Sequence, residues 1–188
     1  DCGSHTMIQE IKDDFNKIFI STGASYDKEI EKTAQILNKK DFTFFHCVTM
    51  YPTPLNEFHL NRLKYLQKFS NEVGWSDHSL VSRDGVLGTC AAVYYGAQWI
   101  ERHFTILPAS QTKDGPVSIN LEDTKRLIEF SKLSSDDQLI FLNQEYPLHK
   151  ETLGKSRRNL GYDELLNRDY YRGRFSSRLN NKTIYNWE

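Results

Sequence analysis

Four short apolar runs recur along this chain: Ile18 to Ile20, Phe42 to Val48, Val73 to Trp75 and Ala97 to Ile100. Between them, apolar residues return at helical spacing. Ile30, Ala34 and Leu37 share one face, as do Leu60, Leu63 and Leu66. Strands that are apolar throughout and are joined through helices belong in a parallel sheet covered by those helices, because antiparallel sheets wetted on one side alternate apolar with polar residues. The predicted class is therefore α/β, built from four βα units. Four units fall short of closing an eight-stranded barrel.

Punctuation supports this order. Ser25 is the expected cap of the first inter-strand helix. The prolines of Tyr51-Pro52-Thr53-Pro54 end the second run, since they cannot continue a strand ladder. The small-residue stretch Gly85 to Tyr95 reads as a helix packed closely on the sheet. Asn120 is placed to cap a later helix with Glu122 and Asp123 in its first turn, whose buried face reads as Leu121, Leu127 and Ile128.

At 188 residues and 22.0 kDa, one compact unit is expected. The 24 Lys and Arg against 25 Asp and Glu leave a formal charge of -1, so no global field draws the chain to nucleic acid or to an anionic membrane. Any anionic partner must be gripped locally. Cys2, Cys47 and Cys90 are widely spaced and form no CxxC pair, which fits a reducing compartment and free, buried thiols. No apolar stretch reaches membrane-spanning length and no secretory signal opens the sequence, so a cytoplasmic location is expected.

The chemistry concentrates at the run ends. His46, His78 and His103 stand there in turn, the last two inside the compact blocks Gly74-Trp75-Ser76-Asp77-His78 and Glu101-Arg102-His103-Phe104-Thr105. Imidazoles delivered repeatedly to one edge of a sheet suggest a divalent-metal or anion site. From residue 134 onward the chain turns polar, with Arg157, Arg158, Arg168, Arg172, Arg174 and Arg178 near Tyr162, Tyr170, Tyr171 and Phe175. This extension is expected to pack across its parent domain or a partner; a grip on phosphate or an acidic surface is the other reading.

Taken in order, Ser21-Thr22-Gly23, His46-Cys47, Tyr51 to Pro54, Gly74 to His78, Glu101 to Thr105 and Asp114 to Ser118 resemble the sialic acid synthase family, with its legionaminic and pseudaminic acid synthase relatives. The resemblance covers residues 1–133, leaving 134–188 as the Arg- and Tyr-rich extension. It implies a (β/α)8 TIM barrel, of which this chain holds the carboxyl-terminal half, strands five to eight with their helices. The implied reaction condenses phosphoenolpyruvate with an N-acylated sugar aldehyde, giving a nine-carbon 2-keto sugar acid and phosphate.

By the same resemblance, His78 and His103 bind a divalent metal, manganese with magnesium as the alternative. Glu101 positions or activates water. Asp114 is the acid of the sugar loop, although Lys113-Asp114-Gly115-Pro116 stands where the family commonly has a Pro-Asp pair. Ser21 and Ser76 contact phosphoenolpyruvate, Thr49 and Tyr51 face the sugar, and Asp1 matches an acidic sugar-binding residue. His46 supports the site or serves as a polar core residue, and Asp77 orients His78 or caps a turn. The implied partner is a second copy in a homodimer or a separate amino-terminal barrel half. A second class of function is a non-catalytic half-barrel docking or regulatory module, whose uncovered sheet edge would be paired by another copy.

Overall fold

The computed structural model describes residues 2–174, 176–179 and 182–185. In chain order come α1 (His5–Ile11), β1 (Lys17–Ser21), α2 (Asp27–Ile36), β2 (Asp41–Cys47), α3 (Asn61–Leu66), β3 (Val73–Asp77), α4 (Val81–Asp84), α5 (Leu87–Tyr94) and β4 (Trp99–Arg102). There follow α6 (Leu121–Ser131), α7 (Ser135–Glu145), α8 (Tyr162–Arg174) and an antiparallel pair, β5 (Ser176–Leu179) with β6 (Lys182–Tyr185). The first four strands are parallel and lie side by side in chain order. This is the expected α/β architecture. Each crossover advances by one strand, which is how a barrel is wound.

Alternation divides the strands between two apolar faces. Ile18, Ile20, Phe42, Phe44, Val73, Trp75 and Ile100 face the helices and form the main core with Ile30, Leu37, Leu63 and Leu66. Phe19, Phe45, Gly74 and Trp99 lie on the opposite face in matching register. The sheet curls until the rings of Phe19 on β1 and Trp99 on β4 meet at 4.9 Å between centroids. Phe45 meets Phe19 edge-on at 5.6 Å. These four strands therefore make a curled half-barrel, its concave floor closed by Lys17 and Trp99, both bonded to the Glu72 carboxylate.

Gly74 is where this curl needs a missing side chain, because a Cβ there would fall 2.5 Å from the Phe45 ring. Gly74→Ala is expected to cost about 1–3 kcal/mol through overpacking. Urea unfolding checks this, and an unchanged midpoint would mean that the two strands tolerate wider spacing.

Several local expectations are corrected. The fourth strand is Trp99–Arg102, not Ala97 to Ile100, because Gly96 turns at φ 107° and Gln98 is spent closing the edge onto Val73 through backbone and side chain. The Gly85 to Tyr95 stretch does hold one helix, α5, and Gly85 at φ 53° ends the short α4 just before it. Ser25 does not cap α2. Its hydroxyl donates to the Gly23 carbonyl, while Glu29 reaches back to accept from the Tyr26 N–H at 2.7 Å.

Asn120 does cap α6, in a reciprocal box with Asp123. The buried stripe of that helix is Asp123, Leu127 and Phe130, whereas Leu121 and Ile128 lie seven residues apart on the opposite face and are 56% and 49% exposed. Leu142 of α7 joins the same core as the strands, so the extension shares the domain's interior from its first helix. Among the described residues, no helix is long and apolar enough to cross a membrane.

Candidate active site

The carboxyl ends of the parallel strands gather the chemistry. On the concave face, Cys47 of β2 pairs in register with Ser76 of β3, and Ser76 with Glu101 of β4. Ser21 ends β1 beside them. The Ser76 hydroxyl donates to Glu101 Oε1 at 2.8 Å, and Ser21 Oγ accepts from the Gly23 N–H at 3.3 Å. Three of the residues singled out from the sequence thus lie along one polar rim. Cys47 lies between the two serines, and burial pushes its thiol up to about 11 against their hydrogen bonds. Sequence reasoning read this residue as a free, buried thiol, which it is; its parity with Phe45 was the signal that it faces inward.

Just beyond the rim, the rings of His78 and His103 stand edge to face with centroids 5.2 Å apart. The Tyr51 ring packs on His78 at 4.2 Å, and the loop that carries it is docked by the Thr53 N–H donating to the His78 carbonyl at 2.9 Å. Asp114, from the loop after β4, brings Oδ2 to 3.7 Å from His103 Nδ1. Burial, and next the adjacent His103, lower the His78 pKa to about 4. Its Nδ1 lies 3.9 Å from Cys47 Sγ.

Asp77 and Arg102 lock the two imidazole-bearing strand ends together. Arg102 Nη1 lies 2.6 Å from Asp77 Oδ1 and donates to Ser79 Oγ at 2.8 Å. The other carboxylate oxygen accepts from Thr89 Oγ1 at 2.6 Å, and Oδ1 also accepts the Ser79 N–H at 2.7 Å. Burial alone would raise the Asp77 pKa, but Arg102 and these donors outweigh it and hold the carboxyl below its usual range. Of the two roles open to Asp77, capping the turn is occupied, with the Arg102 pair beside it. Arg102 went unrecognised in the sequence because nothing local names its partner.

His46 is not gathered with the other two histidines. It alternates with Phe45 and Cys47 and so points to the helix-facing side, where Nε2 bonds the Phe58 carbonyl at 2.7 Å and the ring packs on Trp75 at 5.1 Å. Burial, reinforced by Arg62 and Arg158, holds its pKa well below the ordinary value. Thr49 is buried at the mouth and Tyr51 is half-exposed beside it. Asp1 lies outside the described residues.

Arg157, Arg158 and Arg168 of the extension are committed within the chain; the side chains of Arg172, Arg174 and Arg178, like those of Tyr171 and Phe175, lie outside those described. Arg157 pairs with Asp27 and Glu31, Arg158 with Glu164, and Arg168 with Glu29. The extension packs across its own domain, and these three guanidinium groups are not left as a phosphate grip.

The family model described as NeuB family matches residues 1–136. An uncharacterized protein of Methanocaldococcus jannaschii is 26% identical over 162 residues, covering 83% of this chain and 46% of that protein. N,N'-diacetyllegionaminic acid synthase of Campylobacter jejuni is 36% identical over 117 residues, covering 59% of this chain and 34% of its own length. Among solved structures, the spore coat polysaccharide biosynthesis protein SpsE of Bacillus subtilis superposes with a TM-score of 0.70 at 22% identity, over 87% of this chain and 46% of that one. That likeness establishes the shared fold. The matched segment spans less than half of each of these relatives.

Proposed function

Since the chain belongs to the NeuB family, we propose that it carries the carboxyl-terminal half, strands five to eight, of a barrel that condenses phosphoenolpyruvate with an N-acylated sugar aldehyde. The observation that carries this reading is the rim of Ser21, Ser76 and Glu101 lying directly beneath the paired rings of His78 and His103. In the reaction, the vinyl carbon of phosphoenolpyruvate bonds to the sugar carbonyl carbon, water adds to the phosphate-bearing carbon, and phosphate leaves.

Each side chain has a task in that sequence. The Ser21 and Ser76 hydroxyls hold carboxylate or phosphate oxygens of phosphoenolpyruvate. Glu101 has one oxygen fixed by Ser76, and its second is available to take a proton from the attacking water. Thr49, Tyr51 and Asp114 line the sugar side.

The donor set fits a divalent ion. A metal ligand must be unprotonated, and the low pKa of His78 keeps its imidazole neutral at physiological pH. With Nδ1 turned to Cys47, Nε2 is the nitrogen left for a ligand. Among the described residues no larger cluster of His, Cys, Asp or Glu is gathered as a metal site, so the other positions fall to water and substrate. His78 and His103 would hold manganese, or magnesium, and the bound ion would polarise the sugar carbonyl as a Lewis acid.

The test measures the mass of a nine-carbon keto acid formed from phosphoenolpyruvate and a panel of N-acetylhexosamines. The chain is assayed alone and mixed with the amino-terminal barrel half of a matched synthase, with and without chelator. Product is expected to depend on metal and to fall roughly 100-fold or more in His78→Ala and in His103→Ala. Product indifferent to both substitutions would sink the assignment, as would folded protein that yields none in either arrangement.

A further inference from the structure

Residues 155–170 lie beyond the segment that the family model matches, 1–136, yet they reach back to the two loops that follow Ser21 and Cys47. Asn167 Nδ2 donates to the Thr49 carbonyl at 2.6 Å. The next residue, Arg168, donates to the Ala24 carbonyl, pairs with Glu29 at 2.6 Å, and lies 4.7 Å over the Tyr26 ring. One turn of α8 therefore bridges the loop after β1 and the loop after β2.

The anchoring of α8 is not that of a solvated tail. Arg158 and Glu164 form a bidentate pair in which the glutamate side chain is 2% exposed, and Glu164 Oε2 also accepts the Gly161 N–H at 2.9 Å. Buried pairs of this kind are weak sources of net stability, but they admit few alternative arrangements. The loop they steady holds Ala24 at φ 49°, a left-handed conformation that a non-glycine residue keeps only when its surroundings fix it. The two loops are also in tight contact, since a Cβ at Gly23 would fall 2.8 Å from Thr49 Oγ1.

We infer that residues 155–170 form a clasp joining the loops after β1 and β2, with Asn167 and Arg168 as positioning residues that set Thr49 and, through it, recognition of the sugar. This rests on the functional reading above for the identity of the ligand. The specificity of the site would then be set partly by a segment outside the barrel.

The test uses the full chain and two ligand probes, phosphoenolpyruvate and an N-acetylhexosamine bound by the wild type, titrated by calorimetry. Amide hydrogen exchange is followed in parallel. Asn167→Asp keeps the side-chain size and turns an acceptor toward the Thr49 carbonyl; Asn167→Gln, which keeps the amide, is the conservative rescue. Asn167→Asp is expected to speed exchange at residues 48–53 and to weaken sugar binding roughly tenfold. Exchange in β2 and β3 and affinity for phosphoenolpyruvate stay as in the wild type. Asn167→Gln recovers part of the loss, and Arg168→Gln speeds exchange at residues 22–26.

Unchanged exchange in both loops overturns the clasp. Faster exchange throughout the sheet, with both ligands weakened alike, overturns the positioning role in favour of general destabilisation. Where the wild type binds neither ligand, the functional reading fails and the exchange data alone decide the clasp.

Discussion

Arg102→Met is expected to lower stability by about 3–5 kcal/mol, because it leaves the Asp77 carboxylate buried without its counter-ion. The melting temperature would drop by roughly 6–20 °C in a chain of this size. Arg102 and Asp77 are both almost wholly buried and 2.6 Å apart, so solvent cannot replace either partner. A variant that replaces both with apolar residues of similar volume is expected to recover much of the loss, since no uncompensated charge remains. The pair sits one residue before His78 and one before His103. If His78 and His103 hold a metal as proposed, Arg102→Met should therefore also weaken Mn2+ binding at a temperature where the variant is still folded. Thermal melts and a Mn2+ titration check both effects, and a melting temperature within a degree of the wild type would show that the carboxylate finds other compensation.

Acid is expected to unfold this chain early, and the sign follows from the histidines. In the unfolded state His78 titrates near 6.5, whereas in the fold it resists protonation until about pH 4. Between those values the unfolded state binds more protons, so the stability present above pH 6.5 is lost as the pH falls toward 4. At about 1.4 kcal/mol per pH unit, His78 alone removes about 3 kcal/mol across that window. His46, also held neutral by burial, acts in the same direction. Asp77 extends the trend at lower pH, because its depressed carboxyl pKa contributes stability above its unfolded value that disappears as pH drops through the folded one. Urea midpoints measured in chelator from pH 7 downward give the slope. His78→Asn should flatten it by about one proton's worth, and an unchanged slope would mean that His78 is already solvated.

The fold was legible because its signal is local. Apolar strands separated by helical spacing state a parallel sheet outright, and Asn120 with Asp123 states a helix start within four residues. The site was legible where short blocks follow a strand end, as at Ser76 to His78 and Glu101 to His103. Parity decides between the two roles the sequence left open for His46, in favour of the polar core. His46 follows the same run as Cys47, but a strand sends neighbours to opposite faces, so the thiol reaches the rim and the imidazole enters the core. The clasp was illegible: Arg168 meets Glu29 and Asn167 meets Thr49 across more than a hundred residues of sequence, and no periodicity encodes such pairs.

Chain order and sheet order coincide in the four-stranded sheet, and this has a consequence during synthesis. Each strand pairs with the one translated just before it, so the helix-facing core can accumulate unit by unit as the polypeptide leaves the ribosome. Residues 155–170 emerge only after β4. The loops around Ser21 and Thr49 are therefore fastened last, and a nascent chain stalled before that point would present a formed sheet with an unset mouth.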